Sequence, residues 1–141
     1  MRIVIAIAGL CALSSCAPFI ASLPGPVKVT AQDAAPASKI IADIIGLRLP
    51  PGLGTVRLDP PQDEMGKVIA EKVTEHLKAS GCAIDETPHA AHRIGLAFQP
   101  LKAGALLTVI INGGLASVLL SRDAAGGLIT VSGLSFREVA P

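Results

Sequence analysis

The sequence predicts an α+β protein, a two-layer sandwich with an amphipathic helix packed on a mainly antiparallel sheet. Three observations carry that expectation. A stretch at 63–80 opens with acids, repeats apolar residues at helical spacing and stops before a glycine. Four strand-like stretches follow, at 92–99, 105–112, 115–122 and 128–137. The links between them, "PLKAG", "GG" and "DAAGG", are turn chemistry, so the strands should run as a meander.

The N-terminus comes first in chain order. Arg2 precedes eleven apolar residues, "IVIAIAGLCAL", at positions 3–13. A membrane-spanning helix needs about 20 such residues, so this run fits the apolar region of a secretory signal instead. Leu13-Ser14-Ser15-Cys16 then gives the order large aliphatic, small, small, cysteine. That order resembles the lipobox of bacterial lipoproteins; an ordinary signal peptide with a chance cysteine is the alternative. In the lipoprotein family the cysteine thiol takes a diacylglycerol, the chain is cut just before it, and the new N-terminus is usually acylated. The resemblance therefore implies a signal peptide over 1–15, which removes Cys11, and lipid attachment at Cys16. Each buried CH₂ contributes about 0.8 kcal/mol and stable anchoring takes two chains, so a triacyl cysteine would hold firmly. Ala17 stands where the resemblance would place an aspartate retention signal, which implies the periplasmic face of the outer membrane.

Removing 1–15 takes away Arg2 and no acid, so the formal charge falls from +1 to 0. A neutral chain with no basic block, no Trp and no Tyr offers neither a phosphate footprint nor a stacking platform. Direct nucleic-acid binding is not expected. Cys82 would be the one unmodified cysteine, read as a small buried hydrophobe, with an intermolecular disulfide as the sharper alternative.

Residues 17–37, "APFIASLPGPVKVTAQDAAPA", carry prolines at 18, 24, 26 and 36. With the lipidated Cys16 they read as a tether over 16–37, with the domain beginning at 38. About 20 residues at ~3.3 Å each give a reach of roughly 65 Å. Phe19, Ile20, Val27 and Val29 are more apolar than a spacer needs, and "VKVT" alternates like a strand. They are the candidate partner-binding residues, by addition to a partner's sheet or groove. The alternative is a linker lying on the membrane or on its own domain. On this view, deleting 18–30 spares folding.

Ser38 is placed to cap a helix over 39–45, with Gly46 as its stop. A strand is expected at 55–58. The helix over 63–80 has Met65, Ile69, Val73 and Leu77 on one face and Lys67, Glu71, Glu75 and Lys78 on the other. His76 falls within the apolar face and is expected to pack as a hydrogen-bonded edge residue. "CAIDE" at 82–86 reads as a strand. In the meander, Ile94, Leu96 and Phe98 share a face, as do Leu107, Val109 and Ile111, but Leu106 and Ile110 put apolar groups on the other side. A sheet face left to water should alternate more cleanly. The second face is therefore expected to be covered by the 39–45 helix or by another protein.

No catalytic pattern emerges. His89-Ala90-Ala91-His92 lies near Cys82, Asp85 and Glu86, but a lone His-x-x-His lacks a zinc-ligand spacing. Gly66-Lys67-Val68 lacks the rest of a P-loop, and no Gly-x-Ser-x-Gly elbow occurs. No enzyme, metal, cofactor or small-molecule substrate is expected.

The whole layout resembles a known family. A lipobox and a Pro/Ala-rich spacer precede "LRLPPGLGTVRLDPP", a helix ending "LKASGCAIDE", and strands closing with "LLSRDAAGGLITVSGLSF". This is similar to the TrbH family of conjugal transfer lipoproteins, although the aromatics common near "SR" and at the last strand in that family are missing here. The resemblance implies a structural outer-membrane lipoprotein of a conjugative type IV secretion apparatus. It would anchor periplasmic channel subunits and belong to a homo- or hetero-oligomeric ring. The competing expectation is a lipoprotein accessory of lipid or lipopolysaccharide transport, to which the "LPPG" stretch, helix, glycine and strands are also similar.

Overall fold

The computed structural model of the chain describes residues 25–50, 52, 54–59 and 62–138. The fold is α+β. Two helices, α1 (Ala34–Arg48) and α2 (Glu64–Ala79), lie on one face of a seven-stranded mixed sheet. The strands are β1 (Thr55–Asp59), β2 (Ala83–Ile84), β3 (His92–Pro100), β4 (Ala105–Ile111), β5 (Gly114–Arg122), β6 (Leu128–Thr130) and β7 (Ser135–Arg137). Their order is β2-β1-β3-β4-β5-β6, with β7 also pairing β5. β1 runs parallel to β2 and β3, and every later pairing is antiparallel.

Helix α2 forms where its local chemistry places it. The Asp63 carboxylate accepts from the Gly66 amide and satisfies a free donor of the first turn. Ile69, Val73 and Leu77 are buried at one-turn spacing. Gly81 ends the helix at φ +91°, a left-handed angle that costs glycine little, and the Cys82 amide reaches back to the Leu77 carbonyl at 2.9 Å. His76 departs from expectation: it is exposed, because the inward arc is filled by Ile69, Val73 and Leu77 and leaves position 76 beyond its edge.

Helix α1 is longer than the 39–45 segment expected, and Ser38 does not cap it. Ser38 is fully buried in the helix, and its hydroxyl donates to the Ala35 carbonyl at 2.8 Å. The start moves to Ala34 because Ala34 and Ala35 favour helix and Pro36 falls in the first turn, where a missing N–H breaks no bond. Gly46 does not stop it either; α1 runs to Arg48, and Leu49, ahead of Pro50, leaves helical geometry at ψ 77°. Ile41 and Ile45 are completely buried. Such burial stabilises by about 2 kcal/mol per aliphatic side chain.

The β3–β5 meander follows its alternation. Ile94 pairs with Ile111, Leu96 with Val109 and Leu107 with Val118, all buried on the helix face. The β4–β5 turn is Asn112-Gly113, both at positive φ (50° and 86°), the geometry of a two-residue hairpin. The expected strand over 128–137 is divided. β6 and β7 pair successive parts of β5, and between them the Ser132 hydroxyl accepts the Leu119 amide at 2.9 Å. That side-chain bond satisfies the Leu119 donor, and Gly133 follows in the interrupting segment. The expected 82–86 strand shrinks to two residues: the Asp85 amide makes the last sheet bond, to the Val56 carbonyl (3.0 Å), and the Asp85 carboxylate then accepts the Thr87 amide, which turns the chain out of the sheet.

The expected cover for the second sheet face is also corrected in part. α1 packs beside α2 and against β4 and β6, on the helix side. Among the described residues both helices lie on the helix side, and on the opposite face Leu119 and Ile129 are exposed although Ser121 between them is buried. That face is partly polar: Asp59 bridges Arg57 (3.1 Å) and Arg93 (2.8 Å), and Thr108 meets Ser117.

Gly104 sits at φ +82°, and a Cβ there would collide with the Leu120 carbonyl oxygen. Gly126 has a similar φ of +86° but open space around it. Gly104→Ala should lower stability by at least ~2 kcal/mol, against about 1 kcal/mol for Gly126→Ala. Urea unfolding of both variants checks the ranking.

Candidate functional site

The described chain begins beside Gly104 rather than in a free tether. The Gly104 amide donates to the Gly25 carbonyl (2.8 Å) and the Val27 amide donates to the Gly104 carbonyl (2.9 Å). Residues 25–33 therefore form a strap across the sandwich. The expected boundary at 38 moves to about 26, because Val27, Ala34 and Ala37 are core residues. Val27, expected to meet a partner, is 5% exposed and packs inside its own domain; Val29 is half-buried against the same core. A deletion of 18–30 would thus remove a core side chain and cannot spare folding. Leu13, Ser14, Ser15, Cys16, Phe19 and Ile20 lie outside the described residues.

A polar clamp fastens the strap. Asp33 closes a capping box with Thr30 ahead of α1, accepting the Thr30 amide at 2.8 Å. Both Asp33 oxygens also accept from Arg122 of β5, Oδ1 from Nη1 at 2.7 Å and Oδ2 from Nη2 at 2.8 Å. The same guanidinium donates to the Lys28 carbonyl (2.9 Å) and the Gly126 carbonyl (3.0 Å). One planar fork thus joins the strap, the start of α1 and the β5–β6 turn. Asp123 shapes that turn by accepting the Ala125 and Gly127 amides. The Arg122 hydrogen bond is the main force holding the Asp33 carboxyl down at about 2, against the opposing effect of burial. Asp33 in turn raises Arg122.

Beside the strap lies a half-open groove of about 480 Å³. Val27 and Val29 form its strap side, Met65 and Ile69 its α2 side, and Leu96 and Phe98 its β3 floor, with Lys28 and Asp63 as charged neighbours. Its size falls in the ~300–1,000 Å³ range of ligand pockets, and its apolar lining suits an aliphatic group.

The other singled-out residues do not converge with it. His92 pairs with Asn112, whose Nδ2 lies 2.8 Å from the ring Nδ1. His89 is exposed, and neighbouring Asp85 is held below the usual carboxylate range by the Thr87 hydroxyl and amide. Cys82 is half-buried, as a free thiol. Among the described residues no group of three His, Cys, Asp or Glu side chains could hold a metal ion. The hydroxyls of Ser38, Ser80 and Ser132 bond to nearby carbonyls, and that of Ser117 meets Thr108. None of these bonds is the serine–histidine pairing that nucleophilic catalysis uses.

The sequence reading missed Asp33 and Arg122. Half of the signal was visible, since Thr30-x-x-Asp33 has the spacing of a capping box. The other half, a partner 89 residues away, has no local signature. No protein-family model, no curated protein and no solved structure matches the chain.

The clamp sets a pH dependence with a definite sign. The folded-state pKa of Asp33 is depressed, so its stabilisation is present above the unfolded value of 3.8 and is lost as pH falls towards about 2. The shift corresponds to about 2 kcal/mol. Asp33→Asn should remove that amount at pH 7 and flatten the decline between pH 4 and 2 relative to the parent chain. Urea unfolding across pH 2–7 measures both.

Proposed function

We propose that this chain is a structural outer-membrane lipoprotein of a conjugative type IV secretion apparatus, anchored through Cys16 and contacting periplasmic channel subunits. The observation that carries the reading is the strap. Gly25 already lies against Gly104, and nine chain steps separate it from Cys16, a reach of at most about 30 Å. A lipid on Cys16 would then hold the domain close to the leaflet rather than let it range across the periplasm. Repetition of such anchored domains around a ring would raise the local concentration of every weak contact, and avidity would follow without a large individual interface. The lipobox and the family resemblance supply the compartment and the partner class; the clamped strap supplies the mechanical rigidity that an anchor needs.

A second reading, an accessory of lipid or lipopolysaccharide transport, draws on the apolar groove between strap, α2 and β3. A groove of about 480 Å³ has room for part of an acyl chain.

Two experiments test these readings. Cys16→Ser should abolish [³H]palmitate incorporation and leave the precursor uncleaved; normal labelling would refute the lipid anchor. A mild-detergent pull-down through a tag after Pro141, from membranes that also contain the protein's native neighbours, should recover conjugation-channel subunits. Recovery of lipid-transport components without channel subunits would favour the second reading.

A further inference from the structure

The groove beside the strap has a floor that belongs to the core. Ile69 is fully buried, Leu96 is 8% exposed and Phe98 is half-buried, yet all three line it. It is a gap in the helix layer, with the strap on one side, the start of α2 on the other and β3 beneath. Its rim carries one cation, Lys28, and one carboxylate, Asp63, so it selects neither sign of charge. The Asp63 carboxylate is already engaged by the Gly66 amide.

The chain enters the fold at this groove. The Gly25 carbonyl accepts the Gly104 amide, and the next residue, Ala105, lines the groove together with Val27 and Val29 of the strap. Residues 17–24, which lie outside the described residues, read "APFIASLP" and carry no charged side chain. Six chain steps separate Phe19 from Gly25 and five separate Ile20, a reach of at most about 20 Å.

That short leash selects the occupant. A group tethered so close to its site acts at an effective concentration in the millimolar range, so a contact too weak to hold a second copy or a free partner is still filled by the chain itself. An acyl chain in a leaflet is already out of water and gains little by moving to the groove, whereas Phe19 and Ile20 lose their contact with water on entering it. A segment without charge also needs no counter-ion at a rim that holds one charge of each sign. Val27 and Val29, the next apolar residues of the same stretch, already pack on their own domain.

We propose that residues 17–24 fold back beside the strap and seat Phe19 and Ile20 in this groove, against Met65, Leu96 and Phe98, completing the helix layer. Three chain steps then separate Cys16 from the docked Phe19, a span of about 10 Å. The docking needs neither a lipid nor a channel subunit, so it stands or falls apart from the secretion reading.

The experiment uses the full chain in its membrane, in a Cys82→Ser background. Ile20→Cys is combined either with Met65→Cys in the groove or with Lys78→Cys, an exposed position about 20 Å further along α2. Mild oxidation should link positions 20 and 65 within one chain at least tenfold more than positions 20 and 78, read by mass spectrometry of the disulfide-linked peptides. Equal linking to both positions, or linking to position 65 only between two chains, would overturn the proposal. The chain has no Trp, so Phe19→Trp supplies a single fluorescent reporter. In phosphatidylethanolamine–phosphatidylglycerol vesicles with brominated acyl chains, its emission should be blue-shifted, at least threefold less quenched by acrylamide than free tryptophan, and insensitive to the bromines. Bromine quenching would put the residue in the bilayer, and full acrylamide quenching would put it in water; either result overturns the docking. If Met65→Cys fails to fold, the tryptophan reporter still decides the matter.

Discussion

The Asp33–Arg122 pair is the constraint on which the rest of the arrangement depends. There the strap, the N-terminus of α1 and the β5–β6 turn are held by a single group. Ion pairs at a surface contribute little, whereas an unpaired buried charge is costly. This pair falls between those limits. The Asp33 side chain is 6% exposed and that of Arg122 is 32% exposed, so the carboxylate is sheltered while the guanidinium keeps part of its hydration. Bidentate geometry and two further carbonyl acceptors offset the desolvation of the carboxylate.

The clamp also explains why a proline-rich segment packs instead of trailing away. Pro26 removes a donor, so residues 25–33 cannot join a full ladder. The strap makes two bonds to Gly104, buries Val27 and then ends in the clamp. From there α1 enters the core at a fixed angle and lies beside α2. Both helices therefore take the same sheet face, and the opposite face depends on its own polar bridges and on whatever meets it.

Two apolar features remain on this scaffold, and they differ in kind. The groove beside the strap is concave and lined mostly by apolar side chains from three elements; it suits an aliphatic group. The β6–β7 edge exposes Ile129, Val131 and Leu134 among polar neighbours that include Thr130, Ser132 and Arg137.

Local chemistry was sufficient for much of the fold. Asp63 and Gly81 mark the ends of α2, Asn112-Gly113 closes a hairpin, and the alternation in Leu107, Val109 and Ile111 assigns a buried face. These signals act within a few residues, so the sequence alone determined them. It also carries, at Leu13–Cys16, a purely local pattern that resembles a lipobox. The tertiary structure decided the remainder. Prolines made 25–33 look like spacer, and only an arginine 89 residues away turned Asp33 into a clamp. Ser38 had the chemistry of a cap, yet burial of Ala34 and Ala37 drew the helix start back past it. His76 sat at the border of a helical face, and with Ile69, Val73 and Leu77 filling the inward arc it was left in solvent. Val27 belonged to the core because Gly104 lay beside it. In each case the deciding partner was distant in sequence, and no local rule encodes what a residue will meet across the sandwich.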